Sequence, residues 1–135
     1  MRNAIKVAAV VLAASALFAV AMPAESAQAP QVTRKVLLQQ DLPIPGYQTT
    51  MVAVEIPVGG REGRHTHPGA VVVHVQEGAI TLDHDGRPTT TYKAGDTFLV
   101  EAGKIHEGIN NGTVAAKALA NFVTEKSKPL TTQVP

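Results

Sequence analysis

The sequence contains no cysteine, so no disulfide framework can hold the folded chain together. Stability must come from a packed core. The chain without its N-terminal apolar segment has roughly a hundred residues, enough for the core of one domain but not of two. The chain also lacks runs of like charge, because its 12 basic and 11 acidic residues are scattered. Without a field of one sign there is little to attract nucleic acid or an anionic membrane. We therefore expect no nucleic-acid partner.

The N-terminal segment has the pattern of a secretory signal peptide. Arg2 and Lys6 give a positive start, and residues 7–22 form an apolar run without charge. A transmembrane anchor is the alternative, but a span needs about 20 apolar residues. Small residues at positions 24–29 offer several cleavage points and favour removal of the segment.

The domain organisation follows from this interpretation. Residues 1–29 are the signal peptide, with an approximate cleavage point, and residues 30–135 form a single domain with its core at about 36–125. The mature protein would be periplasmic or secreted, with no stable membrane anchor after cleavage.

Short strand patterns separated by turns follow each other along the mature chain. Residues 47–57 alternate, residues 70–76 are a dense β-branched run, and residues 114–123 are read as the closing strand. Asp85 and Gly86 mark a hairpin turn. With no long amphipathic helix, this pattern predicts an all-β sandwich or barrel.

Three histidines are the main candidates for chemistry. His65 and His67 are two positions apart, so on a strand both imidazoles project from the same face. Two rings on one face can share a metal ion. His106 would have to arrive from a distant strand, which only the fold can arrange.

The first histidine segment resembles the first motif of the cupin superfamily. In that motif a glycine precedes a His-x-His pair, a glutamate follows the pair, and a second glycine ends the motif. Gly59, His65, His67 and Gly78 are in register. Val71 stands where the family has its glutamate, so the family's fourth ligand is missing.

The second cupin motif is also matched. Gly95, Gly103, His106 and Asn110 are in register, while Glu101 stands where the family has a proline. The resemblance implies a cupin barrel, the double-stranded β-helix or jelly roll, with His65, His67 and His106 as metal ligands. The glycines and Asn110 have structural roles at turns.

Three neutral imidazoles suit a divalent metal ion, with iron, zinc, copper, nickel and manganese as candidates. Three protein ligands leave coordination positions open for water or substrate. Without the glutamate the ion keeps its full charge, which favours an anionic or bidentate oxygen ligand. The resemblance to cupins with three histidines implies a metal-dependent dioxygenase acting on a small oxygen-chelating molecule.

Two other functions remain open at this point. The protein could be a non-catalytic module of the cell envelope that binds a small ligand or a metal. It could also be a structural or partner-binding barrel without metal. The partner is a small molecule if the protein is a dioxygenase or a non-catalytic binding module. The family resemblance also suggests a homodimer joined through outer strand faces.

The remaining histidines are expected to lie away from the site. His74 has the opposite strand parity to Val71 and should point outward. His84 falls in a predicted turn and should be exposed.

The nearby acids give no clear general base. Glu62 lies in a loop and is a weak candidate for a replacement ligand. Glu107 should face away from His106, and Glu101 should be a surface charge. We expect no aspartate or glutamate beside the histidines, which argues against proton-transfer schemes.

Overall fold

The computed structural model describes residues 28–135, which form two five-stranded sheets and no helix. Residues 1–27 of the predicted signal peptide, which covers residues 1–29, lie outside this range. The described residues contain no helix with the length and apolar character needed to span a membrane. The strands are β1 Thr33–Asp41, β2 Tyr47–Ile56, β3 His65–Thr66, β4 Ala70–Glu77, β5 Ala79–His84, β6 Thr90–Lys93, β7 Thr97–Val100, β8 His106–Ile109, β9 Ala116–Glu125 and β10 Thr132–Gln133.

The strands are divided between the sheets in an order that differs from the chain order. One sheet has the order β1-β2-β9-β4-β7 and the other β10-β3-β8-β5-β6. Every pairing between these strands is antiparallel. The prediction of an all-β fold of short strands is confirmed.

The core lies between the two sheets and follows the period-two alternation of the strands. On β2 the side chains of Val52, Val54 and Ile56 are buried, and on β9 the inward positions include Ala118 and Ala120. Alanine side chains are short, so this stretch of β9 leaves space next to the core.

The glycines of the two histidine segments occupy turns, as predicted. Gly59, Gly78, Gly95 and Gly103 all have positive φ. At Gly78, with φ 69°, a Cβ would also lie 2.7 Å from the carbonyl oxygen of Ala115. Only glycine combines that backbone conformation with so close an approach.

Asn110 is fully buried and fixes the turn after β8, as predicted for its side-chain amide. Its Nδ2 donates to the carbonyl oxygens of Ile56 and Val114, both at 2.8 Å, and its Oδ1 accepts from the Gly112 N–H. These bonds tie the end of the β8 strand to β2 and to the start of β9.

The chain does not end at the predicted closing strand, which is β9. After Glu125 it turns back, and β10 pairs with β3, with Gln133 opposite His65. This short pairing lies beyond the predicted core range of 36–125 and brings the C-terminal segment to the histidines.

Candidate metal centre

His65, His67 and His106 lie together inside the barrel. His65 is directly opposite His106 across the β3–β8 pair, and His67 follows β3. The ring centroids are 4.3 Å apart for His65 and His106, 4.7 Å for His65 and His67, and 4.9 Å for His67 and His106. One nitrogen from each ring lies within 4.8 Å of the other two. All three side chains are buried.

Each of these rings is oriented by a backbone carbonyl at its Nδ1 atom. A carbonyl oxygen can only accept, so each Nδ1 must carry the hydrogen and donate. The lone pair of each ring is therefore on Nε2, the other nitrogen, which is the arrangement that holds metal-binding histidines in place. The bonds run from His65 to Gly63 at 2.7 Å, from His67 to Leu130 at 2.8 Å and from His106 to Lys104 at 3.0 Å.

Burial keeps two of these imidazoles, those of His67 and His106, neutral. The pKa values of both His67 and His106 are lowered to about 4, mainly through loss of solvent and in smaller part through the neighbouring histidines. At neutral pH these two rings have no proton to release before they can coordinate. The donor set of three neutral, oriented imidazoles fits a divalent metal ion. That these residues bind a metal stays a prediction.

The histidines open into a cavity of about 230 Å³ between the sheets. Its walls are mostly aliphatic or aromatic and come from both sheets. Phe122 stands edge-on to the His67 ring with a centroid distance of 4.9 Å. The apolar lining residues are Val36, Val52, Val54, Ile56, Val71, Val73, Ile80, Leu82, Phe98, Val100, Ala118, Ala120, Phe122 and Leu130.

Val71 lines this cavity at the position where the family motif has glutamate, and only 2% of it is exposed. Val75 shares its face and is also buried, whereas His74 is exposed and its Nδ1 is bonded to the Thr97 hydroxyl at 2.9 Å. The parity argument that kept His74 out of the site is confirmed.

Glu62 corrects the expectation that no acid lies beside the histidines. Its carboxylate lines the cavity, accepts the Gly108 N–H at 3.2 Å and accepts from Arg34 at 3.1 Å. Gly108 is two positions after His106 on β8, so both face the same side. Glu62 does not belong to the group of three clustered ligands. The expectation failed because a loop placed the acid against the strand.

His84 is also not where the sequence suggested. It is the last residue of β5, directly opposite His106, and only 4% of it is exposed. Its Nδ1 lies 2.8 Å from the carbonyl oxygen of Asp85 and its Nε2 lies 3.2 Å from the Glu101 carboxylate. Both nitrogens face oxygen acceptors, so neither is free to join the other three histidines. The prediction of an exposed turn residue was wrong because β5 runs one residue further than expected.

The two remaining acids are held by arginines. Glu107 alternates with His106 on β8 and accepts two bonds from Arg61, at 2.7 and 3.0 Å. The Arg61 contact holds the pKa of the Glu107 carboxyl below its usual value. Glu101 pairs with Arg87 as well as with His84, so it supports the neighbouring histidine besides carrying a surface charge.

The fold and site define an all-β barrel with a buried three-histidine group that could hold a metal ion. The chain belongs to the cupin family, since the cupin domain model matches residues 52–122. None of the curated proteins matches the chain.

Solved structures with the same fold agree with this assignment. A double-stranded β-helix protein from Klebsiella pneumoniae is 19% identical, with 78% of this chain and 85% of that chain covered and a TM-score of 0.63. A cupin-like protein from Thermotoga maritima is 19% identical, with coverage of 76% and 75% and a TM-score of 0.65. The predicted double-stranded β-helix is confirmed.

Two structures of enzymes also have this fold. An oxalate oxidase in complex with the substrate analogue glycolate is 23% identical, with coverage of 64% and 46% and a TM-score of 0.57. A DMSP lyase from Ruegeria pomeroyi is 17% identical, with coverage of 64% and 43% and a TM-score of 0.58. At these identities the likeness shows the fold alone.

Proposed function

We propose that this protein is an exported small cupin that binds one divalent metal through His65, His67 and His106. In this proposal it is a metal-dependent dioxygenase that acts on a small oxygen-chelating molecule inside the barrel. The observation behind the proposal is that three oriented imidazoles converge at a mostly apolar cavity of about 230 Å³. A metal there would lie at the wall of a space large enough for a small organic ligand.

A divalent ion with three protein ligands supplies open coordination positions for ligand oxygens and for dioxygen. All three ligands are neutral, so nothing in the ligand set offsets the charge of the ion. This favours an enolate, a carboxylate or a phenolate. Iron, zinc, copper, nickel and manganese fit the donors, and intrinsic affinity favours copper or zinc.

The protein's own residues would prepare this reaction in two ways. The apolar walls keep water away from the ligand, which strengthens electrostatic interactions at the histidine end. The backbone acceptors at Gly63, Lys104 and Leu130 hold the rings in one tautomer, so no reorientation accompanies binding.

The alternative is a non-catalytic module of the cell envelope that binds a small ligand or a metal. Val71 favours it, because a fourth, anionic ligand is absent from the family position. Among proteins with this fold, an oxalate oxidase and a DMSP lyase show that the barrel accommodates different chemistries. The fold therefore does not choose between the two hypotheses.

Oxygen consumption distinguishes the two functions. Metal-free protein is loaded in turn with iron, copper, zinc, nickel or manganese and offered a diketone, a catechol and a small thiol in an oxygen electrode cell. The dioxygenase proposal expects uptake that requires a redox-active metal, is lost in His106→Ala and persists in the outward-facing control His74→Ala. Metal binding without uptake for any substrate would favour the non-catalytic module.

Export and self-association complete the proposal. The signal-peptide pattern of residues 1–29 implies a periplasmic or secreted protein. The mass of the mature protein, which identifies its first residue, would test this. The outer face of the β1-containing sheet exposes Val72, Leu99 and Val123, which supports a homodimer through that face. Sedimentation of wild type and Val72→Lys would test it.

A further inference from the structure

Arg34 has a distinct position in the cavity. It lies on β1 opposite Val54, whose side chain is buried, and directly opposite residues of an antiparallel pair share a face. Its guanidinium therefore points to the inner side of the sheet, where it lines the cavity. Among the described residues that line the cavity, Arg34 is the only arginine or lysine.

Within residues 28–135 the charge of Arg34 is balanced by one contact, with Glu62. Arg34 Nη2 donates to Glu62 Oε1 at 3.1 Å, while Glu62 Oε2 is held separately by the Gly108 N–H. A Cβ at position 108 would lie 2.5 Å from that oxygen, so the absence of a side chain there makes room for the carboxylate. Glu62 thus has its own anchor and does not depend on Arg34 for its position.

The single contact leaves Arg34 able to bind another anion. A guanidinium has five N–H donors and matches a carboxylate with two parallel bonds. The Arg34 side chain is 43% exposed and that of Glu62 is 16% exposed, so Arg34 is on the solvent side of the pair. Arg34 is therefore the member of the pair that an anion from solvent can reach.

The rest of the lining determines what kind of anion this can be. Apart from Arg34, Glu62, the three histidines and Thr131, the side chains around the cavity are apolar. An engineered cavity of about 150 Å³ holds benzene. A space of about 230 Å³ therefore fits an apolar body of that size together with a small polar head.

We propose that Arg34 binds the carboxylate of a small monocarboxylic acid whose apolar body fills the cavity, and that Glu62 competes with this carboxylate for the guanidinium. The inference names a ligand class for the cavity that goes beyond the proposed function. It does not rest on that function, since carboxylate binding at Arg34 requires no metal.

The test uses metal-free protein, phenylacetate as the probe and 2-phenylethanol as its neutral counterpart, with both affinities measured by calorimetry. We expect phenylacetate to bind about 10–100-fold more tightly than the alcohol, the range for hydrogen bonds to a charged group. Arg34→Gln should abolish this preference while leaving the affinity for the alcohol unchanged. Glu62→Gln should increase the preference, because it removes the competing carboxylate and should tighten phenylacetate binding by about two- to fivefold.

Lys35→Gln is the matched control. It removes the same charge from the next residue of β1, which is exposed and lies opposite Ala53, on the other face. Equal losses in Arg34→Gln and Lys35→Gln, or equal affinity of wild type for acid and alcohol, would overturn the inference. Unchanged phenylacetate binding in Glu62→Gln would overturn the competition.

The two proposals fail separately in these experiments. Absence of bound metal in the purified protein would remove the proposed function and leave the carboxylate preference measurable. A protein that binds metal but shows no effect of Arg34→Gln would retain the proposed function without this carboxylate site.

Discussion

His67 donates its Nδ1–H to the carbonyl oxygen of Leu130 at 2.8 Å, across a separation of 63 residues. One of the three candidate ligands is therefore oriented by the C-terminal segment. The same segment adds β10 to the sheet beside His65 and places the Leu130 side chain in the cavity wall. The end of the chain is part of the site, although it contributes no ligand.

Removal of residues 130–135 should weaken metal binding without unfolding the barrel. The carbonyl that holds His67 would be lost, and outer hydrogen-bond partners of this kind contribute about 10–100-fold to metal affinity. Titration with zinc against a competing chelator measures the effect. Deletion of Pro135 alone is the control, and equal zinc affinity in the two truncated proteins would contradict this role of Leu130.

Val71→Glu should strengthen metal binding and weaken the metal-free fold. The new carboxylate would lie in the cavity at the family's ligand position, where an unpaired buried acid costs about 1–3 kcal/mol in free energy of unfolding. Metal would compensate for that cost. Thermal unfolding with and without zinc tests both effects, and Val72→Glu on the exposed face is the control. A variant with no gain in zinc affinity would show that Val71 does not face the metal.

The stability of the metal-free protein should fall as the pH is lowered from 6.5 to about 5. In the folded protein His67 and His106 have pKa values of about 4, below the ordinary value of 6.5. Over this interval the unfolded chain takes up protons that the folded chain does not, so protonation favours unfolding. Glu107 has a pKa below its ordinary value of 4.5, so its protonation lowers the free energy of unfolding only at lower pH.

Urea unfolding at several pH values measures this dependence. The variant His67→Gln should reduce its slope, while His74→Gln, at an exposed position, should not. A free energy of unfolding that is constant over the interval would contradict the buried, neutral state of these rings.

Strand alternation was sufficient to predict much of this molecule from its sequence. It placed His65 and His67 on one face and set His74 on the face opposite Val71, the residue that the family resemblance had put at the missing ligand position. Turn glycines defined most strand ends. These features are local, so the sequence around each residue determines them.

The features that the sequence could not predict depend on contacts between distant segments. Glu62 reaches the cavity from a loop because Gly108, on another strand, leaves room for it. Leu130 lies two residues before β10, a short strand whose sequence has no strong strand pattern. His84 was misplaced because an Asp-Gly turn fixes the hairpin but not the last residue of the strand before it. Leu130 and Val134, apolar residues in an otherwise polar C-terminal segment, were the available signals for a contact with the barrel.

Elemental analysis of the protein, purified without chelator from the compartment where it accumulates, tests the central claim most directly. The comparison is with the double variant His65→Ala, His106→Ala and with His74→Ala. We predict about one divalent metal ion per chain in wild type and in His74→Ala, and none in the double variant. A wild type with no more metal than the folded double variant would contradict the account and leave the barrel as a binding or structural module.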